Sequence, residues 1–182
     1  SGPDRLRVLA LTHVVPRHQD DSAAPFLLRH VHGLQAAGVE VRVIAPHDAG
    51  LPLEHEVAGV PVRRVRYGPD DREVLAYRGE MHQLVRSPAG AARAARLIGA
   101  LARATRQELA TWRPDVLDVH WLVPGGLVAR LAGLPRPRPA VCRSASTNAG
   151  SDVFFFSLAS ASARVLVESI STWKSSCPSG MI

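Results

Sequence analysis

Lysine is almost absent from this chain: Lys174 stands alone against 21 arginines. Cysteine is nearly as scarce. Cys142 and Cys177 cannot make the disulfide framework of a small secreted protein, so the expected compartment is the reducing cytoplasm. Aromatic residues are 5% of the whole, too few for the interleaved rings and basic side chains of single-strand binders, and no nucleic-acid motif is visible. A nucleic-acid partner is therefore not expected. No apolar run approaches the ~18 residues of a membrane span, and the start, Ser1-Gly2-Pro3, shows no signal-peptide pattern. Glycine is missing from Pro16 to Pro25, where a dinucleotide fold would carry Gly-x-Gly-x-x-Gly, so nicotinamide and flavin chemistry are not expected. Phosphate-loop, Cys-x-x-Cys, His-Glu-x-x-His and Gly-x-Ser-x-Gly patterns are absent too.

What is present is one domain's worth of chain with 46% hydrophobic residues and a net charge of +6. The basic balance favours anionic partners, although arginine in place of lysine also follows from a GC-rich genome. Leu6 to Val15 reads as a first strand. A polar loop leads to Pro25, suited to a first helical turn, and Leu27, Leu28, Val31 and Leu34 keep helical spacing up to the stop at Gly38. Val39 to Ala45 reads as the second strand, and Val57 to Val65 as a strand or hairpin bending near Gly59. Ser87-Pro88 opens a long helix to about Trp112. Leu97, Ile98 and Leu101 lie on one side of it, with Arg93, Arg96, Arg103 and Arg106 on the other. That arginine stripe reads as a solvated face, with docking on an anionic lipid surface as the alternative. The β–α–β order predicts an α/β fold, a parallel sheet wrapped by helices.

Composition shifts after Cys142. Residues 1–142 hold three serines and residues 143–182 hold eleven, with Asp152 and Glu168 the only acids there. The expected organisation is a main domain over 1–142 and a serine-rich continuation over 143–182, the latter either native or a product of truncation or frame.

Val116, Leu117 and Val119 read as a buried strand ending at His120-Trp121, and Pro124-Gly125-Gly126 opens a helix. In open α/β sheets, ligands bind where the strands end. The indole offers an apolar platform and the imidazole a hydrogen-bonding group. Among the other histidines, His30 and His32 stand two apart on a helix and cannot share an ion, so no metal site is expected from His13, His18, His30 and His32. They read as exposed helical histidines.

The run Pro114 to Gly126 resembles the Pro-Asp…His-Trp…Pro-Gly-Gly segment in the N-terminal half of GT-B retaining glycosyltransferases, the family-four-like group that uses nucleotide-sugars. Thr147 to Val153 is similar to the same family's Thr-x-His-Gly-Ser-Asp-Val turn. Gly150, Ser151, Asp152 and Val153 match it, but Ala149 stands where the family has histidine. The resemblance implies a Rossmann-like N-terminal, acceptor-side domain with helices on both faces and no cofactor or metal. His120 and Asp152 would be catalytic, with Trp121, Gly150 and Ser151 binding the acceptor. Ser22, Ala23 and Ala24 would face the donor phosphates, a place where the family usually has Gly-Gly or Ala-Gly. His120, Trp121 and Asp152 are expected near the C-terminal ends of adjacent strands. Most of the nucleotide-sugar would sit on a second domain that these 182 residues lack. The chain would work in the cytoplasm, with the inner membrane face as an alternative, on a hydroxyl-bearing acceptor. A non-catalytic binding or scaffolding domain of the same fold is the alternative reading.

Overall fold

The computed structural model describes residues 5–19, 21, 23–77, 87–120, 122–133, 140–144 and 152–156. Its first strand, β1 (Arg7–Leu11), alternates strictly between two cores. Val8 and Ala10 face one side and Leu9 and Leu11 the other, because successive strand side chains point to opposite faces. Helix α1 (Pro25–Ala36) covers the first side through Leu27, Leu28, Val31 and Leu34. Helices α2 (Pro88–Thr111) and α3 (Leu127–Ala132) cover the second through Leu97, Leu101, Val128 and Ala129. Each such buried valine or leucine side chain contributes roughly 1.5–3 kcal/mol. A strand covered on both faces needs a nearly continuous apolar run, which is what Val8 to Leu11 supplies.

The remaining strands are β2 (Glu40–Pro46), β3 (Glu54–Val57), β4 (Val60–Val65), β5 (Val116–His120), β6 (Ala140–Ser144) and β7 (Asp152–Phe156). Their order in the sheet is β3-β4-β2-β1-β5-β6-β7. The five central strands are parallel, and β3 and β7 close the two edges antiparallel. This is the expected Rossmann-like α/β arrangement with helices on both faces. The pairing of β5 with β6 and of β6 with β7 carries the sheet past residue 142.

Local chemistry explains the boundaries. Pro25 stands in the first turn of α1, where its missing N–H costs nothing, and Gly38 follows the helix at φ +81°. The Oγ of Ser87 accepts the Gly90 amide at 3.0 Å and caps α2. Ala58 and Gly59 turn β3 into β4 with φ of 51° and 76°, the two positive values of a tight hairpin turn. The first strand is shorter than the apolar run predicts. Thr12 makes the last bond in line with the ladder, its amide to the Ile44 carbonyl, and its Oγ1 then donates to the Val14 carbonyl at 2.8 Å, starting a turn. Arg106 is not a free member of the arginine stripe. It donates to the carbonyls of Leu131 and Ala132 and caps the end of α3.

Candidate functional site

β5 ends at the C-terminal edge of the sheet, and all five of its residues are buried. Its periodicity sends Val116, Asp118 and His120 toward α1, and Leu117 and Val119 toward α2 and α3. A carboxylate is thus driven into the sheet's interior, where it needs a partner. Asp118 is 1% exposed and finds His30 of α1, with Nε2···Oδ2 at 2.8 Å. The Nε2 of His120 lies 3.5 Å from the same Oδ2. It is buried and has no hydrogen-bond partner among the described residues. The two imidazoles meet edge to face at 5.5 Å, and the Phe26 ring stands 6.5 Å from His120. The turn after β5, Leu122–Gly126, is π-helical and packs tightly beneath this end. A Cβ on Gly125 would sit 2.7 Å from Val119 Cγ1 and 2.9 Å from the His120 carbonyl oxygen, so only glycine fits there.

The connection from β1 to α1 comes near this end of the sheet at His13. Burial, and secondarily the nearby His120, lower the His13 pKa to about 4. Asp21 organises the loop: its carboxylate accepts from the Arg17 amide at 2.9 Å, Arg17 Nε at 2.7 Å and the Ala23 amide at 3.1 Å. The hydrogen bond from the Arg17 side chain holds Asp21 well below the usual carboxylate range. Ala24, the residue before α1, has φ 51° and ψ 52°, a left-handed conformation that costs a residue with a Cβ roughly 1–2 kcal/mol.

A second polar group occupies the ends of β2 and β4. His47 and Glu73 are buried against each other, with Nδ1···Oε2 at 2.5 Å, while His47 Nε2 donates to the Leu51 carbonyl. Arg64, 2% exposed, donates to Tyr77 Oη and the Pro16 carbonyl. Burial lowers the Arg64 pKa and pushes Tyr77 up to about 12.

A family model described as a glycosyl transferase 4-like domain matches residues 23–174. The chain belongs to this family. The match runs through the serine-rich segment. Two solved structures are similar to the chain at low identity. One is the Streptomyces sp. SF2575 glycosyltransferase SsfS6 in complex with thymidine diphosphate, with 22% identity, TM-score 0.47, and coverage of 77% of this chain and 38% of that one. The other is a sucrose-phosphate synthase from Thermosynechococcus elongatus, with 14% identity, TM-score 0.48, and coverage of 77% and 64%. The chain thus spans less than two thirds of either. No curated protein matches it.

In this glycosyl transferase 4-like domain the sequence-predicted residues fall as follows. His120 ends β5 and is 4% exposed. Asp152 does not end an adjacent strand. It begins the antiparallel edge strand β7, opposite Ser144 at the C-terminal end of β6, so β6 separates it from His120. That edge is still the one at which β5 ends. Ala23 and Ala24 precede α1 as expected, but the Ala23 amide is engaged by Asp21 and Pro25 has no amide hydrogen to offer a phosphate. Ser22, Trp121, Ala149, Gly150 and Ser151 lie outside the described residues. His30 is not an exposed helical histidine: it is Asp118's partner, its side chain only 16% exposed. His18 and His32 are exposed, and His32 reaches the Ala58 carbonyl across to the hairpin. Sequence reasoning missed His30 and Asp118. The signal to be had was the aspartate itself, a charge in the middle of an otherwise apolar strand.

Proposed function

We propose that residues 1–142 and 143–182 form one acceptor-side domain of a glycosyltransferase that moves a sugar from a nucleotide-sugar to a hydroxyl-bearing acceptor. The observation that carries this reading is the family match over residues 23–174 together with a buried imidazole, His120, at the sheet edge beside the start of α1. His120 is the group assigned to the acceptor hydroxyl, and Asp118 with His30 sets its surroundings. Trp121, Gly150 and Ser151 would line the acceptor pocket and Asp152 would stand across it. Ser22, Ala23 and Ala24 would meet the donor diphosphate through backbone amides, once the Asp21–Ala23 bond gives way. No cofactor or metal enters the transfer itself in this reading. The site of action would be the cytoplasm, and the exposed Arg96 and Arg103 on α2 would suit an anionic membrane face. No described helix is long and apolar enough to cross a membrane.

The chain is expected to bind nucleotide-sugars weakly by itself, because a site with one wall leaves much of the ligand in water. Calorimetry with uridine, guanosine and thymidine diphosphate sugars tests this, and sub-micromolar binding would show that the two halves are misassigned. Joined to the donor-binding half of another family member, the chain should support transfer, and His120→Asn should lower the rate roughly 10²-fold. The alternative is a non-catalytic binding domain of the same fold, favoured by Ala149 in place of the family's histidine. It predicts no transfer in the chimera with or without His120.

A further inference from the structure

His30, Asp118 and His120 each offer one ligand atom, and the three atoms lie within 4.8 Å of one another. Both Nε2 atoms converge on a single carboxylate oxygen, at 2.8 Å for His30 and 3.5 Å for His120. The longer separation is beyond a good hydrogen bond, and His120 Nε2 stays buried with no hydrogen-bond partner among the described residues. An orphaned buried ring nitrogen calls for a physical reason. Ligands bound at zinc's usual 2.0–2.2 Å in a tetrahedron stand about 3.4 Å from one another. The two measured separations bracket that value.

We propose that His30, Asp118 and His120 form a binding site for a zinc-type divalent cation, held by two imidazole nitrogens and one carboxylate oxygen. The ion would replace the hydrogen His30 and Asp118 now share and would satisfy His120 in the same step. The ligand atoms are presented by two neighbouring elements, α1 and β5, and already lie within 4.8 Å of one another. Three protein ligands leave a fourth position for water. The donor set selects zinc and its neighbours, which favour imidazole, over magnesium or calcium, which favour oxygen. The partly open His30 is the entry side, as Asp118 and His120 are covered. The other histidine–carboxylate cluster, His47, Glu73 and Asp70, lacks this feature. Both His47 ring nitrogens are already bonded, and Asp70 pairs with Arg66 at the surface. The proposal does not depend on the transfer reading, and because both call on the ring of His120, the ion and an acceptor hydroxyl would be alternative occupants of it.

The test is a zinc titration of the full chain, free of any histidine tag, in competition with a chromophoric chelator, repeated with cobalt(II) to read coordination from the visible ligand-field bands. One equivalent should bind, with tetrahedral cobalt bands and no comparable uptake of magnesium. His30→Gln keeps an amide that can bond Asp118 and so preserves the fold, checked by circular dichroism, but it should weaken zinc roughly 100-fold. His32→Gln, on the same helix but exposed and away from the cluster, should bind like the wild type. Less than one equivalent on the wild type, equal affinity in His30→Gln, an equal loss in His32→Gln, or magnesium bound as tightly as zinc would each overturn the proposal.

Discussion

Gly125 and Gly99 invite the same substitution with opposite outcomes. In Gly125→Ala the new methyl meets Val119 Cγ1 at 2.7 Å and the His120 carbonyl oxygen at 2.9 Å. Neither can retreat cheaply. Val119 is β-branched and packed into the core beneath α2 and α3, and the carbonyl belongs to the end of a paired strand. Overpacking of this kind costs about 1–3 kcal/mol, and two contacts, one of them to backbone, place this case near the upper end. For a chain of this size each kcal/mol moves Tm by roughly 2–4 °C, so a fall of roughly 5–10 °C is expected. Gly99 lies in the interior of α2, exposed, with nothing within 4 Å of an added Cβ. There alanine removes the helix penalty of glycine, worth roughly 0.5–1 kcal/mol, and Tm should rise by about 1–4 °C. Thermal unfolding followed by far-ultraviolet circular dichroism reads both. The reasoning fails if Gly125→Ala melts with the wild type, because the turn after β5 would then have room that its geometry denies.

Three further outcomes follow from the same structure. Ala58→Asn should stabilise by about 0.5–1 kcal/mol in urea unfolding, since asparagine tolerates the left-handed conformation at φ 51° better than alanine; an unchanged midpoint would count against backbone strain there. Arg106→Ala should cost about 1 kcal/mol by freeing the Leu131 and Ala132 carbonyls at the end of α3, an effect that added salt should reduce only slightly if the bonds matter more than the charge. His13 has a folded pKa of about 4 against 6.5 unfolded, so between those values only the unfolded chain takes up the proton. Its contribution, about 3 kcal/mol, is complete above pH 6.5 and is lost as the pH falls toward 4. His13→Asn should flatten the stability profile in that window, and a profile parallel to the wild type's would remove the burial argument.

The parts of the fold written in the sequence were those set by local chemistry. Pro25 and Gly38 bound α1, Ser87 caps α2, and Ala58-Gly59 turns the hairpin, each through interactions within a few residues. The overlong first strand shows where local reading stops. Thr12 to Val15 are largely β-branched, and Val15 is buried, yet burial there serves a loop packed on the core and not a ladder. Edge strand β7 was invisible for a related reason: the antiparallel pairing of Asp152 with Ser144 depends on a neighbour and not on any periodicity of its own.

The candidate site divides along the same line. The position of His120 was legible because a polar residue and a Pro-Gly-Gly turn close an apolar run, which places it at the C-terminal end of a strand. Its surroundings were not, since His30 and Asp118 stand 88 positions apart and meet only when α1 lies across β5. Yet Asp118 carried a warning of its own. In a strand covered on both faces, a carboxylate has no solvated side to turn to, so a partner must come from the helix above it. The face is fixed by parity: Val116 packs with α1, so Asp118 and His120 must as well. On α1, Leu27, Leu28, Val31 and Leu34 mark the buried stripe, and His30 is the imidazole bordering it. Parity on the strand and the stripe on the helix together select His30 over the exposed His32, and that selection follows from the sequence once α1 and β5 are known to be neighbours.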